Sequence, residues 1–139
     1  MASSFFIDSD VILDALLDRE PFAANARNIF KLVASREIEV FCSSIIVTNV
    51  FYLVKKQFNS NRAYSSIDKL LGYFKVLPVG ELEIKNSIKS GFSDFEDGIQ
   101  HQVALQNPAI KAIVTRNTKD YRLSTIVVIT PAELLALFK

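Results

Sequence analysis

The sequence has one cysteine, one histidine, no tryptophan, four glycines and four prolines in 139 residues. The lone Cys42 excludes an intrachain disulfide framework and any cysteine-built zinc cage. The lone His101 excludes two-histidine metal motifs and leaves a Ser-His-Asp triad a single possible member. Four scattered glycines make no phosphate-cradling loop. No apolar run approaches the roughly 18 residues of a membrane span. Asp8 interrupts the N-terminal apolar run too early for a signal-peptide core, so the expected compartment is the cytoplasm. Charge of one sign is also missing: sixteen Lys and Arg stand against fifteen Asp and Glu, a formal charge of +1. That balance argues against global steering toward nucleic acid or membrane and leaves room for a local RNA-binding patch.

What is present is apolar bulk. Half the residues are apolar and 22% are charged, enough to build a core and too apolar for a disordered chain. The length suits one domain over residues 1–139. Short apolar runs at 4–7, 39–42, 75–79, 112–115 and 126–129 read as strands. Helical spacing fills the intervals, at 11–17, from Pro21, at 44–58, 61–74, 81–90, 94–106 and 131–138. Pro21 and Pro131 each occupy a predicted first helical position, and Thr130 with Glu133 has capping-box spacing. Strands that are apolar throughout and alternate with helices predict an α/β fold, a three-layer α/β/α sandwich around a mostly parallel five-stranded sheet. Ligands in such folds bind beyond the carboxyl ends of the strands.

Three acidic or polar segments fall at such ends or at a helix start. Asp8 closes the first strand, followed by Asp10 and Asp14. Capping of the next helix is one reading of Asp8; a carboxylate held at the functional edge is the other. Ser93-Asp94-Phe95-Glu96-Asp97 has a Ser93–Glu96 capping-box spacing, but three acids in four residues exceed what a cap requires. Asp94 and Asp97 share one face of the first helical turn, and a cation would relieve their repulsion. Thr115-Arg116-Asn117-Thr118-Lys119-Asp120 ends the fourth strand in groups that can hold phosphate and metal. An all-oxygen inventory suits Mg²⁺ or Mn²⁺, and phosphodiester hydrolysis is the natural chemistry.

Phe5 to Asp14, Asp94 to Asp97 and Thr115 to Tyr121 resemble the three signature segments of the PIN domain. Thr130 to Leu135 resembles the closing helix of its small bacterial members. The resemblance implies a metal-dependent ribonuclease of the VapC toxin type, with an RNA substrate, a cognate antitoxin and a homodimer. It places three family acids on Asp8, Asp97 and Asp120, makes Asp94 an accessory metal ligand, and matches Thr115 and Asn117 to polar positions. The remaining family acid, usually Glu, falls on Asn49, and residues 40–67 contain no acid that could replace it. Weakened, metal-hungry cleavage is the consequence expected. Arg116, Lys119 and Arg122 flank the site and are the expected RNA-phosphate contacts.

Two other functions compete. Asp8-Ser9-Asp10 also resembles the nucleophile motif of haloacid-dehalogenase-type phosphatases, although no cap domain fits this length. A PIN-like module that binds RNA or protein without cutting is the other, favoured by Asn49. His101 lies one helical turn beyond Asp97 and reads as a surface or core-edge histidine.

Overall fold

A computed structural model describes residues 2–139. Strand β1 (Ser3–Ile7) is buried from Ser4 onward, as its apolar sequence requires, and occupies the middle of the sheet. It pairs in parallel with β2 (Ile38–Ser43) on one side and β4 (Ile110–Val114) on the other. Outside these lie β3 (Phe74–Leu77) and β5 (Val127–Ile129), giving the order β3-β2-β1-β4-β5, parallel throughout.

Between β1 and β3 the chain forms α1 (Ser9–Leu16), α2 (Ala23–Ala34), α3 (Ser44–Gln57) and α4 (Ser60–Tyr73). Then α5 (Glu81–Lys89) and α6 (Phe95–Ala104) carry it back to β4, and α7 (Pro131–Ala136) follows β5. Right-handed crossovers put α1 to α4 on one face and α5 with α6 on the other. Contacts agree: α1, α2, α3 and α4 pack among themselves, α7 lies on α2, and α5 lies on α6. The strand order reverses between β1 and β4, so the carboxyl ends of those two strands mark the switch point.

The core closes on both faces of the sheet. Phe6, Ile7, Ile12, Ile46 and Ile113 have no solvent exposure at all. Burial of each such side chain contributes about 1.5–3 kcal/mol, which fixes the strand ends from which the polar loops emerge. Among the described residues no helix is long and apolar enough to cross a membrane.

Three local expectations change. Pro21 does not start a helix: α2 begins at Ala23 with Phe22 at the capping position. The Ser93–Glu96 capping box does not form, because Asp94 is the cap and its Oδ1 accepts from the Asp97 amide at 2.9 Å. Between β4 and β5 a short 3₁₀ helix (Thr118–Tyr121) occupies what reads in sequence as loop. The Thr130–Glu133 box is present in both directions, at 3.2 and 2.9 Å.

Gly98 lets α6 approach α5 closely. A Cβ there would collide with Ser87 Oγ and crowd Phe92, while that hydroxyl already donates to the Phe95 carbonyl at 2.8 Å. Gly98→Ala is therefore expected to cost about 1–3 kcal/mol by overpacking, read as a lower urea midpoint at unchanged slope.

Candidate functional site

Asp8 is the first residue after β1 and is almost wholly buried. It caps the next helix and stands at the carboxyl edge of the sheet. Its Oδ1 accepts from the Ser9 amide at 2.8 Å, capping α1. Its Oδ2 accepts from the Tyr121 hydroxyl at 3.1 Å and lies 3.2 Å from Thr115 Oγ1. Burial, followed by the charge of Asp10, pushes its carboxyl up to about 6, against the opposing pull of those hydrogen bonds. Sequence reading missed Tyr121, although it closes the third signature segment. Its ring is buried in the core and only its hydroxyl reaches the acid.

Asp97 stands in the first turn of α6, on the other side of the switch point. Its carboxyl is pushed up to about 7, first by desolvation and then by the charges of Asp8, Asp94, Asp120 and Glu96. The chain thus brings four acids from three separate segments into one electrostatic neighbourhood around Asp97. Asp94 caps the helix, and Asp120 is exposed on the 3₁₀ turn. Glu96, freed from the capping box, accepts from Asn49 Nδ2 at 2.7 Å. The sequence offers Glu96 as one partner of a capping box and shows no acid at 40–67 beside Asn49. Their separation of 47 residues left no local signal for the contact.

Among the described residues none of these five carboxylates has a cationic partner. Among the described residues, Lys and Arg form ion pairs with Asp14, Asp18, Glu39 and Glu81 only. Asp14 is the contrast. It is buried to 1% exposure and takes Arg116 through Nε at 2.6 Å and Nη2 at 3.2 Å, with Arg19 Nε at 3.0 Å. Arg116 also stacks over the Phe22 ring, 3.9 Å from its centroid. Its expected role as a free phosphate contact is thereby corrected: the guanidinium is engaged by Asp14 and Phe22. Lys119 and Arg122 remain exposed on and after the 3₁₀ turn.

Asp10 ties the two sides of the switch point together. Its Oδ2 accepts from the Arg116 amide at 2.9 Å and sits 3.2 Å from Thr115 Oγ1. The Asn117 amide donates to Thr115 Oγ1 at 3.1 Å, while Asn117 Nδ2 lies 3.4 Å from Asp10. Thr115 and Asn117 therefore hold the acids and their loop in place. His101 is a core residue: it is buried, stacks on Phe92, and its Nε2 accepts from the Thr125 amide at 3.1 Å.

A family model for the PIN domain matches residues 4–119. The chain belongs to the PIN domain family. The match replaces the phosphatase alternative, and Asp10, bound to the 115–117 loop, is not poised as an acid or base beside Asp8. No curated protein matches the sequence. Several solved structures are similar in shape. VapBC2 from Rickettsia felis, bound to promoter DNA, is 16% identical at a TM-score of 0.70, covering 91% of this chain and 98% of that one. FitAcB from Neisseria gonorrhoeae is 18% identical at 0.69, covering 92% and 98%. VapC20 from Mycobacterium tuberculosis, a toxin that cleaves the sarcin-ricin loop, is 15% identical at 0.62, covering 78% and 86%. At these identities the likeness shows the fold.

Two predictions follow from the charges of this PIN domain. Asp97 is harder to ionise in the folded chain than in the unfolded one, so folding loses stability as pH rises from about 4 to about 7. In metal-free buffer at pH 8, Asp97→Asn should therefore raise stability by on the order of 1 kcal/mol, after allowance for solvent screening. The gain should vanish toward pH 4 in a thermal-melt series. Asp14→Ala should act in the opposite direction, by about 2–3 kcal/mol in chemical unfolding. That falls below the 3–5 of a fully buried pair, because Arg19 and Arg116 keep partial access to water.

Proposed function

We propose that the protein is a metal-dependent endoribonuclease, the toxin of a toxin–antitoxin pair. The observation that carries this reading is the set of five carboxylates around the switch point with no counter-cation among the described residues, beside an Asp14 that has two. A chain able to neutralise a buried acid with arginine leaves Asp8, Asp94, Glu96, Asp97 and Asp120 unneutralised. Mutual repulsion of this kind is relieved by a bound dication.

The donors fit a hard cation. All are carboxylate oxygens, with amide and hydroxyl oxygens nearby, and neither sulfur nor imidazole faces them. Among the described residues no three Asp, Glu, His or Cys side chains form a ready-made ion cage. Mg²⁺ binds commonly through one or two carboxylates and otherwise through water and substrate phosphate, as an open site of this kind provides. Asp8 and Asp97 would hold Mg²⁺ or Mn²⁺, with Asp94 and Asp120 as further acids. When bound, the ion supplies an activated water and stabilises charge on the departing oxygen.

The chain's own contribution is positioning. Tyr121, Thr115 and the Ser9 amide fix both oxygens of Asp8, so that its direction is set before substrate arrives. Asp97 is free of such restraint at its carboxylate, and a bound cation would relieve the repulsion that burial and the neighbouring acids impose on it. Lys119 and Arg122 would draw the RNA backbone toward the acids despite the neutral total charge.

The solved VapBC complexes support a cognate antitoxin as partner, and a homodimer accompanies that reading. Exposed Tyr52 and Leu53 on α3 with Tyr64 and Leu71 on α4 supply apolar surface for such contacts. Action on RNA places the protein in the cytoplasm.

Purified protein should cleave structured RNA with Mg²⁺ or Mn²⁺ and lose that activity on chelation. Asp97→Asn should reduce the rate about a hundredfold or more, since even a group that only orients a metal ligand is worth about 10–100-fold. Cleavage unaffected by chelator, or equal in Asp97→Asn, would refute the assignment. RNA binding without cleavage at any metal concentration would establish the non-cutting module instead.

A further inference from the structure

The pairing of Asn49 with Glu96 has no structural necessity visible in either element. Helix α3 is already capped by Ser43, whose Oγ accepts from the Ile46 amide at 3.0 Å. Helix α6 is capped by Asp94. The 2.7 Å bond from Asn49 Nδ2 to Glu96 Oε1 instead joins two helices from opposite layers, across the carboxyl edge where the acids collect.

The chemistry of the donor matters. Lysine or arginine at position 49 would hold Glu96 equally well and cancel its charge. An amide directs the carboxylate through one oxygen and leaves its full negative charge in place. Among the described residues no cation pairs with Glu96, and its Oε2 accepts no hydrogen bond. Glu96 and Asp97 are adjacent in the first turn of α6, so a group bound by Asp97 lies within the field of Glu96.

We propose that Glu96 is a working carboxylate of the cation site and that Asn49 is its positioning residue. The negative charge missing from α3 at residue 49 is delivered to the same contact by α6. The inference rests on reading the acidic group as a cation centre, and it adds a residue pair to that reading. It also reverses the consequence expected of Asn49 in sequence: the site keeps its charge, and only the element that bears it differs.

Mn²⁺ binding to the full chain, followed by isothermal titration and by electron paramagnetic resonance of the free ion, tests both levels separately. Glu96→Gln retains an acceptor for Asn49 and removes only the charge. It should weaken Mn²⁺ binding about tenfold or more, with circular dichroism unchanged. Asn49→Ala should weaken it by about tenfold, the usual scale for an orienting partner, and should add little in the Glu96→Gln background. The double variant Asn49→Glu with Glu96→Gln returns the charge across the same contact, with donor and acceptor exchanged, and should regain wild-type affinity within a few-fold. Affinity lost in Asp97→Asn but unchanged in Glu96→Gln would overturn this inference and leave the cation centre standing. Affinity unchanged in Asp97→Asn would overturn the cation centre and the inference with it. Loss in Glu96→Gln without recovery in the double variant would overturn the role given to Asn49.

Discussion

The rest of this site depends on one constraint, the crowding of unneutralised carboxylates at the carboxyl edge of a parallel sheet. Asp8 cannot move away, because β1 ends there and Tyr121, Thr115 and the Ser9 amide hold both its oxygens. Asp97 cannot move far, because it lies in the first turn of a helix that Gly98 seats closely on α5. Two rigid elements therefore hold like charges in each other's field. Such an arrangement reduces folding stability in exchange for a poised charge, the trade that functional sites commonly show.

A second polar group lies immediately beside the first and does the opposite work. Asp14, Arg116, Arg19 and Phe22 form a neutralised anchor that fastens the loop after β4 to α1. Asp10 completes the connection by binding the Arg116 amide. The acids thus divide into an unpaired set gathered at the edge from three segments, Asp8 among them, and a paired set, Asp10 and Asp14 on α1, that holds the edge in shape. The division is one of partners: the anchor acids bind arginine or the Arg116 amide, whereas the edge acids bind only uncharged donors among the described residues.

Much of the architecture was legible from the sequence. Continuous apolar runs separated by helical spacing predict a parallel sheet, and the rule for its carboxyl ends points to Asp8 and to the segment after β4. Asp97 was legible for a different reason, since three acids in four residues exceed the needs of a cap. What escaped were interactions between distant segments. Arg116 reads as a phosphate contact until Asp14 is seen to hold it. Glu96 reads as half of a capping box until Asp94 takes the cap and Asn49 comes within 2.7 Å from another layer. Tyr121 closes the third signature segment in sequence without a role of its own, yet its buried hydroxyl fixes Asp8. Local spacing predicts elements well because helices and strands are local; it says little about which side chains meet across an edge.

We read these carboxylates as arranged for a divalent cation. Crystals grown or soaked with Mn²⁺ and measured at the manganese absorption edge test it most directly. An anomalous peak is expected at the β1–β4 switch point, in direct contact with an oxygen of Asp8 or Asp97 and with the Asp94, Glu96 and Asp120 carboxylates around it. Full-strength anomalous peaks elsewhere on the molecule, with none between Asp8 and Asp97, would contradict it.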